Sequence, residues 1–140
     1  MTRVLVDSNV LLDLTTDHPK WADWSAAMLA KLADEADLVI NPVIYAEVCG
    51  RFRTEEDVDR LLSTDDFARE PLPYEAAFLA GRTHSLYRRL GGARDRTLPD
   101  FLIGAHATVM DYRLLTRDAR RYRTYFPKLE IIAPEDGQLG

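Results

Sequence analysis

Residues 3–12 are Arg3-Val4-Leu5-Val6-Asp7-Ser8-Asn9-Val10-Leu11-Leu12. The apolar run before Asp7 predicts a strand that is buried on both faces. Ser8 and Asn9 carry N-capping side chains and predict a helix that begins at Val10. Asp7 is therefore expected at the carboxyl end of a central strand, where open α/β sheets bind ligands. A carboxylate at that place costs free energy unless something cationic compensates it.

Strands and helices are expected to alternate along the rest of the chain. Short apolar runs predict strands at 38–40, 114–115 and 129–132, and residues 67–72 form a weaker extended segment. Helices are predicted after Asn41-Pro42, from Tyr74 to Leu90 with Leu90 on the apolar face, and from Pro99 to about Met110. Such alternation is typical of an α/β domain in which helices cover both faces of a parallel sheet of four to five strands. No repeat or linker divides residues 1–140, so one domain is expected.

The cysteine content and the hydropathy exclude several classes of protein. Cys49 is the only cysteine among the 140 residues, which excludes an intrachain disulfide and a thiolate metal cluster. A chain of this kind is typical of a reducing, cytoplasmic setting. We expect no membrane association, because no apolar run has the length of a signal peptide or of a bilayer span.

Charge is divided unevenly along the sequence. The net charge is −5, yet residues 1–81 hold 7 basic and 16 acidic side chains, whereas residues 82–128 hold 11 basic and 4 acidic ones. The basic segment is almost entirely arginine, which binds phosphate better than lysine does. A contact with a polyanion and a solvated helix surface are both consistent with this segment.

Four acidic residues are predicted at one edge of the sheet. Asp7 ends a strand, Asp118 follows the strand at 114–115, and Glu47 and Asp100 lie early in predicted helices. An acid in a first helical turn usually stabilises only the helix, so the argument depends on the whole set. Four neighbouring carboxylates repel each other strongly unless Mg²⁺ or Mn²⁺ lies between them, and these ions prefer carboxylate and water ligands.

Four segments together resemble the successive motifs of a PIN-domain ribonuclease, and more narrowly those of a VapC-type toxin of bacterial toxin–antitoxin pairs. They are Val4-Leu5-Val6-Asp7-Ser8-Asn9-Val10-Leu11-Leu12, Glu47 after Val43-Ile44-Tyr45-Ala46, Pro99-Asp100-Phe101-Leu102-Ile103-Gly104-Ala105-His106-Ala107, and Leu114-Leu115-Thr116-Arg117-Asp118. The resemblance covers nearly the whole length, down to Ile131-Ile132-Ala133-Pro134. Gly104 departs from the pattern, since the family more often has alanine there. Gly104 and Ala107 share the face of Asp100, and their small size is expected to leave room beside the site.

The resemblance implies a PIN-like three-layer α/β/α fold and a metal-dependent endoribonuclease. Asp7, Glu47, Asp100 and Asp118 would be its acidic metal site for one or two Mg²⁺ or Mn²⁺ ions, with Ser8 and Thr116 as supporting hydroxyls. The bound metal would activate a water molecule and stabilise charge on the RNA phosphodiester. A cognate antitoxin protein and a homodimer are also implied. The candidates for contact with the RNA backbone are Arg94, Arg96, Arg117, Arg120, Arg121 and Arg123.

Three other functions are alternatives for this sequence. A catalytically silent PIN-like module that binds RNA or protein has no need of four mutually repelling acids, and a metal-dependent DNA nuclease stays open. A phosphoaspartyl phosphatase or receiver domain is disfavoured, because Asn9 stands where such a phosphatase has a second aspartate. The histidines, His18, His84 and His106, have no motif partner. His106 lies about 120° around its helix from Asp100 and is expected to be structural or on the surface.

Overall fold

The computed structural model describes residues 2–92 and 95–134. In these residues five strands and seven helices follow each other as β1 (Thr2–Val6), α1 (Ser8–Thr15), α2 (Ala22–Ala33), β2 (Ala36–Ile40), α3 (Pro42–Cys49), α4 (Glu55–Leu61), β3 (Ala68–Arg69), α5 (Tyr74–Arg89), α6 (Leu98–Met110), β4 (Arg113–Leu115), α7 (Arg120–Arg123) and β5 (Ile131–Ile132). Among these described residues, no helix has the length and the apolar character needed to cross a bilayer.

The strands form one parallel sheet in the order β3-β2-β1-β4-β5. The central strand is β1, where Val4, Leu5 and Val6 are fully buried. Leu5 lies opposite Val39 of β2 on one side and opposite Leu114 of β4 on the other. The predicted parallel sheet of four to five strands is therefore confirmed.

The strand order explains the three layers. The chain moves from β1 outward through β2 to β3, then returns past β1 to β4 and β5. Right-handed crossovers in opposite directions place their helices on opposite faces of the sheet. In agreement, α1 packs on α2 and α3, and α6 packs on α5 and α7, while α3 and α6 also contact each other. The direction of winding reverses between β1 and β4, and ligands of such folds bind at the carboxyl ends of the strands at that point.

The predicted N-terminal cap of α3 is confirmed, whereas the predicted caps of α1 are wrong. Asn41 caps α3 by accepting a hydrogen bond from the Ile44 backbone N–H at 2.9 Å, as expected. The predicted caps Ser8 and Asn9 were wrong, because α1 begins at Ser8 and Asp7 is the residue before it. The Asp7 side chain makes no capping bond.

The end of α5 differs from the sequence prediction. Leu90, expected on the apolar face of the helix from Tyr74, lies just beyond α5 and is 69% exposed. The helix ends before its apolar periodicity does, so Leu90 does not return to the core. Arg94, one of the candidates for contact with the RNA backbone, lies outside the described residues.

Candidate active site

Asp7 lies at the centre of the candidate site, at the end of β1. Its side chain is buried, and Oδ2 accepts hydrogen bonds from the Thr116 hydroxyl at 2.9 Å and from the Tyr122 hydroxyl at 2.7 Å. Burial raises the pKa of the Asp7 carboxyl, and the charge of Asp100 raises it further, whereas the two hydrogen bonds and Arg121 act in the opposite direction. The net increase in pKa indicates that negative charge at Asp7 is incompletely compensated.

Glu47 lies on α3 and is joined to the first turn of α1. The Ser8 hydroxyl donates to Glu47 Oε1 at 2.9 Å, and its oxygen lies 3.5 Å from Asp7 Oδ1. Burial raises the pKa of the Glu47 carboxyl, and the charges of Asp7 and Asp100 contribute in the same direction. The charges of Asp7 and Asp100 therefore both act on Glu47, and that of Asp100 also acts on Asp7.

Asp100 is held at the start of α6 by a capping box. Its Oδ2 accepts from the Thr97 backbone N–H at 3.0 Å and from the Thr97 hydroxyl at 3.2 Å. The other oxygen, Oδ1, faces Arg121 at 3.4 Å. One carboxylate oxygen of Asp100 therefore fixes the helix start, and the other contacts Arg121, which also contacts Asp118.

Asp118 follows β4 and completes the set of four acids. Its Oδ2 accepts from Arg121 Nε at 3.1 Å, while Oδ1 is buried and has no hydrogen-bond partner. The Arg121 guanidinium thus bridges Asp118 and Asp100. Burial lowers the pKa of Arg121, but the nearby charges of Asp100 and Asp118 outweigh burial and raise the pKa above its ordinary value.

Thr116 connects these elements through its hydroxyl group. The hydroxyl donates to Asp7 and accepts from the Asp118 backbone N–H at 3.1 Å and from Asn9 Nδ2 at 3.1 Å. Asn9 Oδ1 in turn accepts from the Arg117 backbone N–H at 3.3 Å. Thr116 and Asn9 therefore fasten the end of β4 to the end of β1 and the start of α1.

Sequence reasoning missed Asn9 and Tyr122. Asn9 was interpreted only as a cap, although its place two residues after Asp7 puts it on the same sheet edge. Tyr122 stands within the run Arg120-Arg121-Tyr122-Arg123, of which only the arginines were noticed. An isolated tyrosine in a basic run was the available signal, because a buried tyrosine hydroxyl usually needs a polar partner.

Arg117, a candidate for RNA contact, makes a partly buried ion pair instead of projecting freely. Its Nε lies 3.0 and 2.9 Å from the two carboxylate oxygens of Asp13, which is 1% exposed. Asp13 Oδ2 also accepts from the Ser25 hydroxyl at 2.9 Å. The contact joins the segment after β4 to α1 and α2.

The room expected beside Gly104 is filled. A Cβ added to Gly104 would lie 2.5 Å from Cε2 of Phe126 and 3.0 Å from Cδ1 of Tyr122. The expectation of open space was wrong, because rings from the segment after β4 pack against this face of α6. Gly104 instead permits the close approach of α6 and α7.

The donor set suits a hard divalent cation, although the carboxylates do not yet converge. Within residues 2–92 and 95–134, no three His, Cys, Asp or Glu side chains lie close enough together to enclose a metal ion. Asp118 Oδ1 nevertheless accepts no hydrogen bond and lies 3.9 Å from Arg120 Nε, and the pKa values of Asp7 and Glu47 are raised, so acceptor capacity and negative charge remain for a cation. Carboxylate oxygens are the ligands that Mg²⁺ and Mn²⁺ prefer. The chemistry of the residues therefore fits such an ion.

A basic cleft opens beside Asp118. Its volume is about 400 Å³, and it is lined by Asp95, Arg96, Asp118, Arg120 and Arg121. Arg96 donates to the Arg120 carbonyl oxygen at 3.1 Å, which holds the two sides of the cleft together. Two larger clefts, of about 570 and 920 Å³, lie elsewhere in the described residues, and neither is lined by any of the four acids.

A model of the PIN domain matches residues 4–127, so the chain belongs to the PIN-domain family. Among solved structures with this fold, that of VapBC2 from Rickettsia felis bound to a promoter DNA fragment has a TM-score of 0.72 at 18% identity, with 94% of this chain and 98% of that chain covered. VapBC-1 from nontypeable Haemophilus influenzae gives a TM-score of 0.71 at 17% identity, with 94% and 98% covered. FitAcB from Neisseria gonorrhoeae gives 0.67 at 19% identity, with 95% and 99% covered. No curated protein matches the sequence.

Proposed function

We propose that this PIN-domain protein is a metal-dependent endoribonuclease and the toxin component of a toxin–antitoxin pair. The observation that carries the proposal is the placement of Asp7, Glu47, Asp100 and Asp118 around the switch point of the sheet, beside an arginine-lined cleft. Acidic residues at this point could bind a metal ion that contacts the scissile phosphodiester. The arginines could bind the phosphates of the nucleic-acid backbone on either side of that phosphodiester.

The four acids would hold one or two Mg²⁺ or Mn²⁺ ions. When bound, such an ion activates water and stabilises the charge of the phosphodiester during hydrolysis. The protein's own contribution is to orient the donors. Thr116 and Tyr122 fix the Asp7 carboxylate, Ser8 fixes that of Glu47, and Thr97 fixes one oxygen of Asp100.

The arginines of the basic segment divide into two groups by their contacts. Arg96 and Arg120 line the cleft, and the Arg120 side chain is 74% exposed, so both are suited to phosphate contact. Arg121 is suited to a phosphate held next to Asp100 and Asp118. Arg123 and Arg94 remain candidates from the sequence, whereas the pair with the buried Asp13 gives Arg117 a structural role.

The partners follow from the family resemblance and from the neighbours, which are complexes described as VapBC and toxin–antitoxin structures. We expect a small antitoxin, copurification of the two proteins after coexpression in the cytoplasm, and suppressed RNA cleavage in the complex. A homodimer is also proposed. Exposed apolar side chains on α5 and just beyond its end offer a surface for a partner: Tyr74, Phe78, Leu86 and Leu90.

The decisive experiment incubates the purified chain with labelled RNA and, separately, with DNA of the same sequence. We expect internal cleavage of the RNA in Mg²⁺ or Mn²⁺, none in EDTA, and none by Asp7→Asn or Asp100→Asn. Asp111→Asn is the matched control, because it removes the same charge at the opposite end of α6 and should leave cleavage intact. Cleavage by both site variants at the full rate would reject the metal mechanism, and cleavage of DNA alone would identify a DNA nuclease.

A further inference from the structure

A buried polar chain joins the start of α3 to the middle of α6. Asn41 caps α3 through Oδ1, which accepts from the Ile44 backbone N–H at 2.9 Å. The other end of the same amide, Nδ2, lies 2.9 Å from Nδ1 of His106 on α6. Both side chains are buried, with His106 fully inaccessible and Asn41 only 2% exposed.

These contacts define the protonation of the histidine ring. Since Asn41 Oδ1 accepts from a backbone N–H, the atom that faces His106 is the amide nitrogen, which can only donate. Nδ1 of His106 must therefore accept, and the ring proton lies on Nε2. Nε2 faces Oε2 of Glu70 at 3.7 Å, which is too long for a hydrogen bond but places the N–H opposite a carboxylate. Burial lowers the pKa of His106 more than Glu70 raises it, so the ring is neutral.

The two helices joined in this way carry two of the candidate acids. Glu47 follows Asn41 by six residues on α3, and Asp100 precedes His106 by six residues on α6. Each acid is thus about 9 Å along its helix from the Asn41–His106 hydrogen bond. The two helices also pack against each other, so this bond fixes the start of one against the other.

We propose that His106 is a positioning residue: as the neutral Nε2–H tautomer it holds Asn41, and thereby sets α3 and Glu47 in place relative to Asp100. The structural half of this proposal is independent of activity. The functional half depends on the proposed function, because it requires that Glu47 and Asp100 serve one metal site.

Nitrogen NMR of the histidine side chains tests the structural half. We expect a pyridine-type ¹⁵N shift at Nδ1 of His106 and a pyrrole-type shift at Nε2 near neutral pH. Asn41→Asp retains an equally good helix cap but replaces the amide donor by an acceptor. It should move a proton onto Nδ1, whereas an unchanged spectrum in this variant, or a proton on Nδ1 in the wild type, would overturn the proposal.

Mn²⁺ titration calorimetry, performed well below the melting temperature, tests the functional half. His106→Leu removes the acceptor and should weaken Mn²⁺ binding about tenfold or more, as changes behind metal ligands do. His106→Asn returns an acceptor near the Nδ1 position and should recover most of that affinity. Tyr112→Phe is the control, because it removes a 2.9 Å hydrogen bond to Glu70 and leaves Asn41 and His106 in contact.

The outcomes separate the two proposals. Wild-type affinity in a folded His106→Leu variant would overturn the positioning role and leave the proposed function standing. No Mn²⁺ binding by the wild type would instead reject the metal site and the functional half together. If His106→Leu does not fold, the comparison of His106→Asn and Asn41→Asp with the wild type decides the matter, and equal affinity in all three would overturn the positioning role.

Discussion

The hydroxyl of Tyr122 donates a 2.7 Å hydrogen bond to Oδ2 of Asp7, although 115 residues separate the two along the chain. The Tyr122 side chain is fully buried, and burial together with the charge of Asp7 raises its pKa well above the ordinary value. The phenol is therefore a permanent donor near neutral pH. It joins α7, the most arginine-rich element, to the acid at the centre of the site.

Tyr122→Phe should destabilise the fold by about 1.5–3 kcal/mol, which is typical of a lost hydrogen bond to a charged group. The Tyr122 hydrogen bond lowers the pKa of Asp7, so its loss should also raise that pKa further. Urea denaturation measures the free energy of unfolding. Tyr74→Phe, at a 91% exposed position, is the control and should stay within about 0.5 kcal/mol of the wild type. Equal effects of the two changes would contradict the role of the buried hydroxyl.

Asp7→Asn should stabilise the metal-free protein at neutral pH. The pKa of Asp7 is raised in the folded state, so the stability present below the ordinary aspartate pKa is lost as pH rises through the folded pKa. Asparagine keeps an oxygen to accept from Thr116 and Tyr122 but carries no charge. Melting curves in EDTA from about pH 4 to 8 should therefore be flatter for the variant, with a higher melting temperature at the neutral end.

Two comparisons make the Asp7 result specific. Asp13→Asn is the same chemical change at a buried aspartate, but it breaks the pair with Arg117 and should lower the melting temperature. Added Mg²⁺ should raise the melting temperature of the wild type and have little effect on Asp7→Asn. If wild type and Asp7→Asn melt alike at every pH, with and without Mg²⁺, then Asp7 is neither strained nor a metal ligand.

The sequence predicted what depends on neighbours along the chain. Asn41 before Pro42 specified the start of α3, and the apolar run before Asp7 specified a central strand, because both signals act within a few residues. The parallel orientation of the strands then placed the four acids, which follow strands or begin helices, at one edge of the sheet without any knowledge of side chains. This is why the fold and the edge of the candidate site could be predicted.

What the sequence did not predict depends on packing between distant segments. Tyr122 reaches Asp7 only because α7 folds over the end of β1, and Phe126 fills the space beside Gly104 for the same reason. Leu90 continued the apolar period of α5, but periodicity gives a face and not the residue at which a helix leaves the core. His106 has no local signal of its partner, since Asn41 lies 65 residues away.

Gly104→Ala should destabilise the protein by about 1–3 kcal/mol, because the added methyl group would meet buried aromatic rings. This cost exceeds the gain of about 1 kcal/mol in helix propensity that alanine brings. Gly81→Ala on α5 is the matched control, since nothing lies within 4 Å of its added Cβ, and it should stabilise the protein. Adding Phe126→Leu to Gly104→Ala should recover part of the loss. If Gly104→Ala and Phe126→Leu change the free energy of unfolding additively, then the Phe126 ring is not what opposes the added methyl group.

Arg96→Gln and Arg120→Gln together should weaken RNA binding and flatten its dependence on salt. Each phosphate contact to single-stranded RNA contributes about 0.7 to the slope of log affinity against log salt, so two lost contacts should reduce that slope by about 1.4.

Binding is measured by fluorescence anisotropy in the Asp7→Asn background, which prevents cleavage during the titration. Arg53→Gln removes one positive charge from the acidic first half of the chain, outside the cleft, and should leave the slope unchanged. Mn²⁺ affinity, measured with the native Asp7, should change little in the double variant, because the Arg120 side chain is 74% exposed and lies 3.9 Å from Asp118, and an exposed pair at that distance is weak. An unchanged slope in the double variant would mean that these arginines only solvate the surface.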